Sequence, residues 1–480
     1  MSTSLTFYGG ANEIGGNKIL MEEKDAKIYF DFGESFTFGE GYFYEYLAPR
    51  SANGLEVYFE FDMLPKIPKL YAKDLLELTE LKYQKPDVDA VFISHSHSDH
   101  VGHIGFLDES IPVHMGHGTR KIMETYHALY PSLYPLPANS LNLFKSGDSI
   151  RVKHLEVRPI HVEHSIPGAY GFIVERDGGP LVYTGDFRMH GPRRDMSEEL
   201  MNKAAKARPE VLLCEGTRMH PDGGDTDAGL SGDVCEPSAL CGTKHGTKKA
   251  VEHNYTEAEV ERRVAELTEE TRGLVLAYFS MSNVDRFMSF YNAARKAGRK
   301  LVIGTELAYV VANLREKVKA LPDVASDPHV RVYFRLAKSC TFCEKDYRKW
   351  EREFMKNMIT YREIRERPGS YLMHLNFYKL MELVYLRPEK ARFIYSMSEH
   401  FYEGEDNKEQ REVWENWMRH FKIDFKTSHC SGHAGKKDLE EFIRKVKPDI
   451  LVPIHTQHSE CFMDLHKDVR IPEKGKTMKI

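Results

Sequence analysis

Three imidazoles and one carboxylate fall within six residues of this chain, His95-Ser96-His97-Ser98-Asp99-His100. In a core, each of these groups would need its own buried partner. Together they are the donors that borderline divalent ions take, imidazole nitrogen and carboxylate oxygen. In extended or turning backbone His95 and His97 point one way, while Asp99 and His100 reach a second point a few ångströms further on. One loop can therefore begin two metal sites side by side. The alternative, a polar surface loop that happens to be rich in histidine, fits so tight a spacing poorly.

The element that must hold this loop is the apolar run Ala90-Val91-Phe92-Ile93, which reads as a buried strand ending abruptly in polar residues. The design recurs. A strand over Leu155–Val162 precedes His164, Leu181-Val182-Tyr183 leads to Asp186, Val211–Cys214 to Glu215, and Ile450–Ile454 to His455. Functional groups at strand ends are expected where ligands gather at one edge of a sheet. The segment Thr427-Ser428-His429-Cys430-Ser431-Gly432-His433 adds further metal-type residues.

Residues 5–33 alternate as a β-meander with a glycine-rich turn at Gly9–Gly16. A strand and not a helix follows that turn, so it is no nucleotide fingerprint. Asp31, at a strand end, is placed to brace a ligating histidine from behind; an isolated acid there is otherwise a turn residue. Residues 35–75 are aromatic and irregular, and read as an inserted loop that covers something or pairs with another subunit. Residues 218–255, rich in Gly, Asp and Ser, read as a long loop or linker. Helical periodicity resumes at Thr256, where Glu259 completes a capping box. Strands and helices then alternate to about residue 334, charged helices are expected over 344–390, and the whole reads as an α/β unit of its own.

The 480 residues, 41% hydrophobic and 29% charged, predict two or three globular domains. No apolar run approaches the roughly 20 residues of a bilayer span. Met1–Thr6 lacks the architecture of a secretion signal, and seven scattered cysteines do not form a disulfide framework, so the cytoplasm is the expected compartment, with no membrane partner. A net charge of −5 gives no global attraction for nucleic acid; a polyanion would need a local basic channel or the metals themselves.

Phe7-Tyr8-Gly9-Gly10-Ala11-Asn12-Glu13-Ile14-Gly15-Gly16-Asn17, His-x-His-x-Asp-His (95–100), His164-Ser165-Ile166-Pro167, Tyr183-Thr184-Gly185-Asp186-Phe187-Arg188, Ser431-Gly432-His433-Ala434 and Pro453-Ile454-His455-Thr456 stand in order. With Glu215, this set resembles the β-CASP branch of the metallo-β-lactamase superfamily, and within it the ribonuclease J enzymes in their short archaeal-type form. The resemblance spans nearly the whole chain and fails over 35–75 and 218–255. It implies an α/β fold, a metallo-β-lactamase αββα sandwich with an inserted α/β β-CASP domain. The expected bounds are 1–220 for the first part of the sandwich, 221–425 for the insert (221–255 as its linker), and 426–480 for the second part.

Residue by residue, the resemblance implies one zinc on His95, His97 and His164, a second on Asp99, His100 and His455, and Asp186 bridging them, two Zn2+ per chain. Three neutral imidazoles suit one zinc, and mixed carboxylate and imidazole suit its neighbour. Two ions about 3.5–4 Å apart can clamp the attacking and leaving oxygens of an in-line phosphoryl displacement. His433 is then the proton donor or phosphate contact for the departing oxygen, Glu215 its orienting acid, and Asp99 counts among the catalytic groups. Ser280, Ser282 and Asn283, at a strand-to-helix junction, would join Ser431, Gly432 and His433 in cradling a 5′-monophosphate, although a plain helix N-cap explains the junction as well. The implied activity is 5′-to-3′ exonucleolytic hydrolysis of single-stranded RNA, with endonuclease activity beside it, by a homodimer.

Two alternatives compete. A cleavage-factor-like endonuclease would carry extra RNA-binding domains, and none is visible. A non-catalytic RNA-binding scaffold would have lost ligands that this chain keeps. Cys340 and Cys343, with Cys235 and Cys241, form a weaker candidate for a structural zinc. His103 is a candidate to back up the metal ligands, and His161 is expected to pack or cap.

Overall fold

The computed structural model describes residues 3–36, 42–43, 47–50, 53–221, 256–398 and 408–480. Its first sheet has the order β20-β1-β2-β3-β4-β5-β6, with β1 Ser4–Gly9, β2 Lys18–Glu23, β3 Ala26–Phe30, β4 Ala90–Ile93, β5 Val113–Gly116, β6 Leu141–Phe144 and β20 Thr477–Lys479. The meander β1-β2-β3 is antiparallel, as the alternation predicts, and β4 lies parallel between β3 and β5. Buried along its whole length, β4 can afford no polar residue until it leaves the sheet at Ser94.

The second sheet has the order β19-β11-β10-β9-β8-β7, with β7 Ile150–Val152, β8 Leu155–Val162, β9 Ala169–Glu175, β10 Leu181–Tyr183, β11 Val211–Glu215 and β19 Ile450–Ile454. The two sheets close on one core, where Phe7, Ile19, Phe30 and Phe92 meet Val157, Phe172, Tyr183, Leu213 and Val452. Phe30 stacks on Tyr183 at 5.2 Å between ring centroids, and Phe92 meets Phe172 at 5.8 Å. Helices Arg194–Ala207 and Lys436–Val446 cover the outer face of the second sheet through Leu200, Met201, Leu439 and Phe442.

The outer face of the first sheet is covered by the stretch expected to be a loop. Leu55, Tyr58, Phe59, Leu64, Leu70 and Tyr71 are buried against Tyr29, Phe32, Val91 and Ile93. Their spacing follows no helical or strand period because, apart from the short helix Glu56–Glu60, they pack one at a time from irregular backbone. The described part of 35–75 is therefore the fourth layer of the sandwich.

The chain divides into two compact units, Met1–Met189 with Arg193–Gly223 and Gly432–Ile480, and His190–Pro192 with Gly224–Ser431. The second unit is a seven-stranded, wholly parallel sheet in the order β15-β14-β13-β16-β12-β17-β18. Its strands are β12 Val275–Tyr278, β13 Lys300–Gly304, β14 Val330–Tyr333, β15 Met358–Ile359, β16 Tyr371–His374, β17 Arg392–Tyr395 and β18 Asp424–Thr427. Because β18 pairs with β17, the expected boundary after residue 425 falls inside a strand of this unit. Helix Glu257–Glu270 opens with the capping box: the Glu259 amide donates to the Thr256 hydroxyl at 3.2 Å, and the Thr256 amide to the Glu259 carboxylate at 2.7 Å.

Residues 344–390 are not a run of charged helices. Short helices at Lys349–Arg352, Tyr361–Glu366 and Glu382–Leu386 are interrupted by β15 and β16. β16 offers only four residues after an Arg- and Glu-rich stretch, too few for its period to stand out. No helix among the described residues is long and apolar enough to cross a membrane. Most of 218–255 lies outside the described residues.

Candidate metal centre

From the end of β4 the chain turns through His95 and His97 into the short helix Ser98–Val101, which carries Asp99 and His100. His97 Nδ1 lies 3.0 Å from His95 Nε2 and 3.1 Å from His164 Nε2, the latter arriving from the end of β8. On the other side, His455 Nε2, just past β19, is 2.9 Å from Asp99 Oδ2. His100 Nε2 is 3.4 Å from Asp99 Oδ2 and 3.1 Å from Asp186 Oδ2. Asp186 Oδ2 is also 3.6 Å from both His95 Nε2 and His455 Nε2. Two donor groups result, His95-His97-His164 and Asp99-His100-Asp186-His455, each with its ligand atoms within 4.8 Å of one another. A third, His164-Asp186-His433, overlaps both.

The donors fit a cation. Both Asp186 carboxylate oxygens and His100 Nε2 are buried without a hydrogen-bond partner among the described residues; their 3.1 Å approach lacks the geometry of a bond. Buried polar atoms are rarely left so. Burial holds the pKa values of His95 and His164 well below the ordinary imidazole range and that of His97 at about 4, so all three offer neutral lone pairs. Burial alone would raise Asp99 and Asp186. The facing His100 and His455 outweigh it and hold both carboxyls well below the usual range. His100 is opposite: burial disfavours its charge, but Asp186, Asp99 and Asp31 raise it well above 6.5. Its proton is the charge that a bound cation would replace.

A second ring of groups fixes the ligands. Asp31 Oδ2 is 2.7 Å from His100 Nδ1, while its oxygens also accept from the Ser94 amide at 2.6 Å, the Ser94 hydroxyl at 2.8 Å and the Tyr183 hydroxyl. The Asn17 amide donates to Tyr183 at 3.1 Å. His164 Nδ1 donates to the Gly432 carbonyl at 2.6 Å. A side chain at Gly33 would place its Cβ 1.7 Å from the Asp99 carbonyl oxygen, so only glycine lets β3 and the ligand loop approach this closely.

His433 Nδ1 is 3.3 Å from Glu215 Oε1. Glu215 is fully buried and accepts from the Phe187 and Thr217 amides at 3.2 and 3.1 Å. Thr217 is the residue that sequence reasoning missed. Its hydroxyl is 2.8 Å from His455 Nδ1 and 3.1 Å from His433 Nδ1, joining a candidate ligand to the candidate proton donor. Its only mark in the sequence is its place two residues after Glu215.

The remaining candidates are distributed as follows. Ser280, Ser282, Asn283 and Ser431 lie in the second unit, and Gly432 and His433 in the first. The Asn283 side chain caps helix Val284–Lys296 through the Arg286 amide at 2.9 Å, and the hydroxyls of Ser280 and Ser282 are 3.1 Å apart. His103 is buried between Tyr58 and Phe106, with neither ring nitrogen hydrogen-bonded among the described residues, and His161 stacks on Tyr170 at 4.9 Å. Cys340 and Cys343 are exposed and free and join no metal-type group of three among the described residues; Cys235 and Cys241 lie outside these residues.

Residues 67–235 match the family described as a β-lactamase superfamily domain, and residues 422–468 that described as a Zn-dependent metallo-hydrolase RNA specificity domain. The chain is 25% identical over 426 residues to "Ribonuclease J" of Sinorhizobium meliloti, covering 82% of this chain, and 21% identical over 465 residues to "Ribonuclease J" of Mycoplasma pneumoniae, covering 95%. These matches support a ribonuclease J-like protein of the β-CASP metallo-β-lactamase group. The chain spans 63% of the length of the Sinorhizobium ribonuclease J and 68% of the Mycoplasma one. A crystal structure of a protein of unknown function from Enterococcus faecalis V583 shares the fold at a TM-score of 0.73 and 23% identity, covering all of both chains. The two domain matches between them contain every residue of the two donor groups, together with Glu215, Ser431, Gly432 and His433.

Proposed function

We propose that this protein is a zinc-dependent ribonuclease that binds two Zn2+ per chain and degrades 5′-monophosphorylated single-stranded RNA from its 5′ end, with internal cleavage as a secondary mode. The observation that carries the reading is the single oxygen, Asp186 Oδ2, within 3.6 Å of His95, His100 and His455 from both donor groups. When bound, the two ions would supply Lewis acidity, an acidified water near neutral pH and charge compensation at phosphorus.

The chain's own residues would do the rest. Asp31 holds the Nδ1 hydrogen of His100, so that its Nε2 lone pair faces the ligand cluster. Glu215 takes the hydrogen bond from His433 Nδ1 and orients the ring, so that its Nε2 side would serve as proton donor to the departing 3′ oxygen. Thr217 accepts from His455 Nδ1 and keeps the Nε2 of that ring turned towards Asp99. Ser280 and Ser282, at the amino end of helix Val284–Lys296, are the proposed contacts for the 5′-monophosphate.

Digestion of end-labelled RNA tests this. A 5′-monophosphate substrate should yield mononucleotides, and a 5′-triphosphate should slow the reaction. Internal fragments formed regardless of the 5′ end would overturn the exonuclease reading. Metal analysis should return two zinc ions per chain. The working form is proposed to be a cytoplasmic homodimer, which sedimentation of the purified protein tests for assembly.

A further inference from the structure

Residues 377–386 of the second unit turn an apolar face outward. Among the described residues, Tyr378 is 83% exposed, Met381 62%, Val384 46% and Tyr385 40%. The chain here is a 3-10 turn at Phe377–Lys379 running into helix Glu382–Leu386. At about 100° per residue these four side chains fall within an arc of roughly 120°. Leu380, Leu383 and Leu386 occupy the opposite, buried side. A surface helix normally turns polar residues outward opposite such a buried side, and an outward apolar face of this kind marks an interaction site.

The face continues into an aromatic ladder. Tyr385 lies 5.8 Å from Tyr361, and Tyr361 lies 6.3 Å from Phe342. The exposed guanidinium of Arg362 sits 5.7 Å over the Tyr361 ring and 5.9 Å over that of Phe342. Phe342 and Cys340 both hold φ at +58°, a region that bulky side chains rarely enter, and it is this loop that presents the Phe342 ring to Arg362. Charge completes the picture. Residues 335–390 carry thirteen Lys and Arg to eight Asp and Glu, whereas the whole chain carries 67 to 72. The segment that carries this face is thus locally basic in a chain of net charge −5.

We propose that this face is a docking platform for single-stranded RNA, an inference that rests on the reading of the substrate as RNA. Exposed aromatic rings with an interleaved guanidinium stack unpaired bases, and the surrounding cations hold phosphates. A duplex hides its base faces and would find no purchase on the rings. A purely apolar protein partner would leave the basic surplus without a role.

Fluorescence anisotropy of the full chain with a labelled oligoadenylate of roughly 20 nucleotides, in EDTA so that it is not cut, tests the platform. Arg362→Ala, Tyr385→Ala and the pair Tyr378→Ala with Met381→Ser should each weaken binding about tenfold, and Arg362→Ala should also flatten the salt dependence. Melting temperatures and zinc-supported turnover of a dinucleotide should stay at wild-type values. Affinities within twofold of wild type in all three variants would overturn the proposal. So would dissociation of a wild-type dimer by the Tyr378 and Met381 pair with RNA affinity intact, which would make the face a subunit interface. Weakened binding in a protein that hydrolyses no RNA would sink the nuclease and leave the platform standing; unchanged affinity with full hydrolysis would do the converse.

Discussion

Asp31 Oδ2 and His100 Nδ1 are 2.7 Å apart, both fully buried, and the remaining acceptor capacity of the carboxylate is taken up by Ser94 and Tyr183. The pairing fixes which nitrogen of His100 carries hydrogen and which faces the ligand cluster. Asp31→Asn removes the charge that makes this acceptor strong. Metal affinity should fall about 10- to 100-fold, read by competition against a chromophoric chelator. An affinity within twofold of wild type would show that the orientation of His100 does not depend on this carboxylate.

The shared oxygen of Asp186 makes a sharper demand. Asp186→Ala should reduce bound zinc below two per chain and lower RNA turnover by about a thousandfold, since metal-derived charge stabilisation amounts to several kcal/mol. Chelation of the wild-type protein should abolish turnover, and added zinc should restore it. Full turnover by the alanine variant with both metals retained would contradict a bridging role.

Thr217 separates proton handling from metal binding. Its hydroxyl contacts both His433 and His455. Thr217→Val should lower kcat about fivefold, the scale of one lost buried hydrogen bond of about 1 kcal/mol, with KM and zinc content unchanged. Thr217→Ser should recover most of the loss. Zinc loss in the valine variant would instead assign Thr217 to the support of His455 alone.

His374 gives the second unit a pH dependence of definite sign. It is buried at the end of β16 and donates to the Phe279 carbonyl oxygen at 2.9 Å; desolvation holds its pKa at about 4. The unfolded chain takes up that proton near the ordinary 6.5, so the unfolded state binds more protons in between. Stability is therefore fully present above about pH 6.5 and is lost as pH falls towards 4, by roughly 2 kcal/mol at pH 5. Denaturant titrations at pH 7 and pH 5 should show the loss, and His374→Gln should reduce it. An equal loss in the variant would assign the dependence to other groups.

How much of this was legible beforehand differs by element. The strand-end acids and histidines stood out because an apolar run such as Ala90–Ile93 breaks sharply into ionisable residues, a contrast that needs no tertiary knowledge. The α/β character of the second unit followed from alternating strand and helix patterns, and the layered sandwich from the family resemblance; that the second sheet is wholly parallel emerged only in the structure. β16 did not, because four residues after a charged stretch carry too little periodicity. Leu55–Tyr71 did not, because side chains that pack singly from irregular backbone leave no repeat. Thr217 was hidden for a further reason. A threonine after a strand is ordinary, and its importance arises only where the segments carrying Glu215, His433 and His455 converge.

The first unit is begun by β1 and finished by β19 and β20, with the entire second unit threaded between. On a translating ribosome, a nascent chain therefore carries His95, His97, Asp99, His100, His164 and Asp186 long before it has His433 or His455. The donor group Asp99-His100-Asp186-His455 is complete only when translation has passed residue 455.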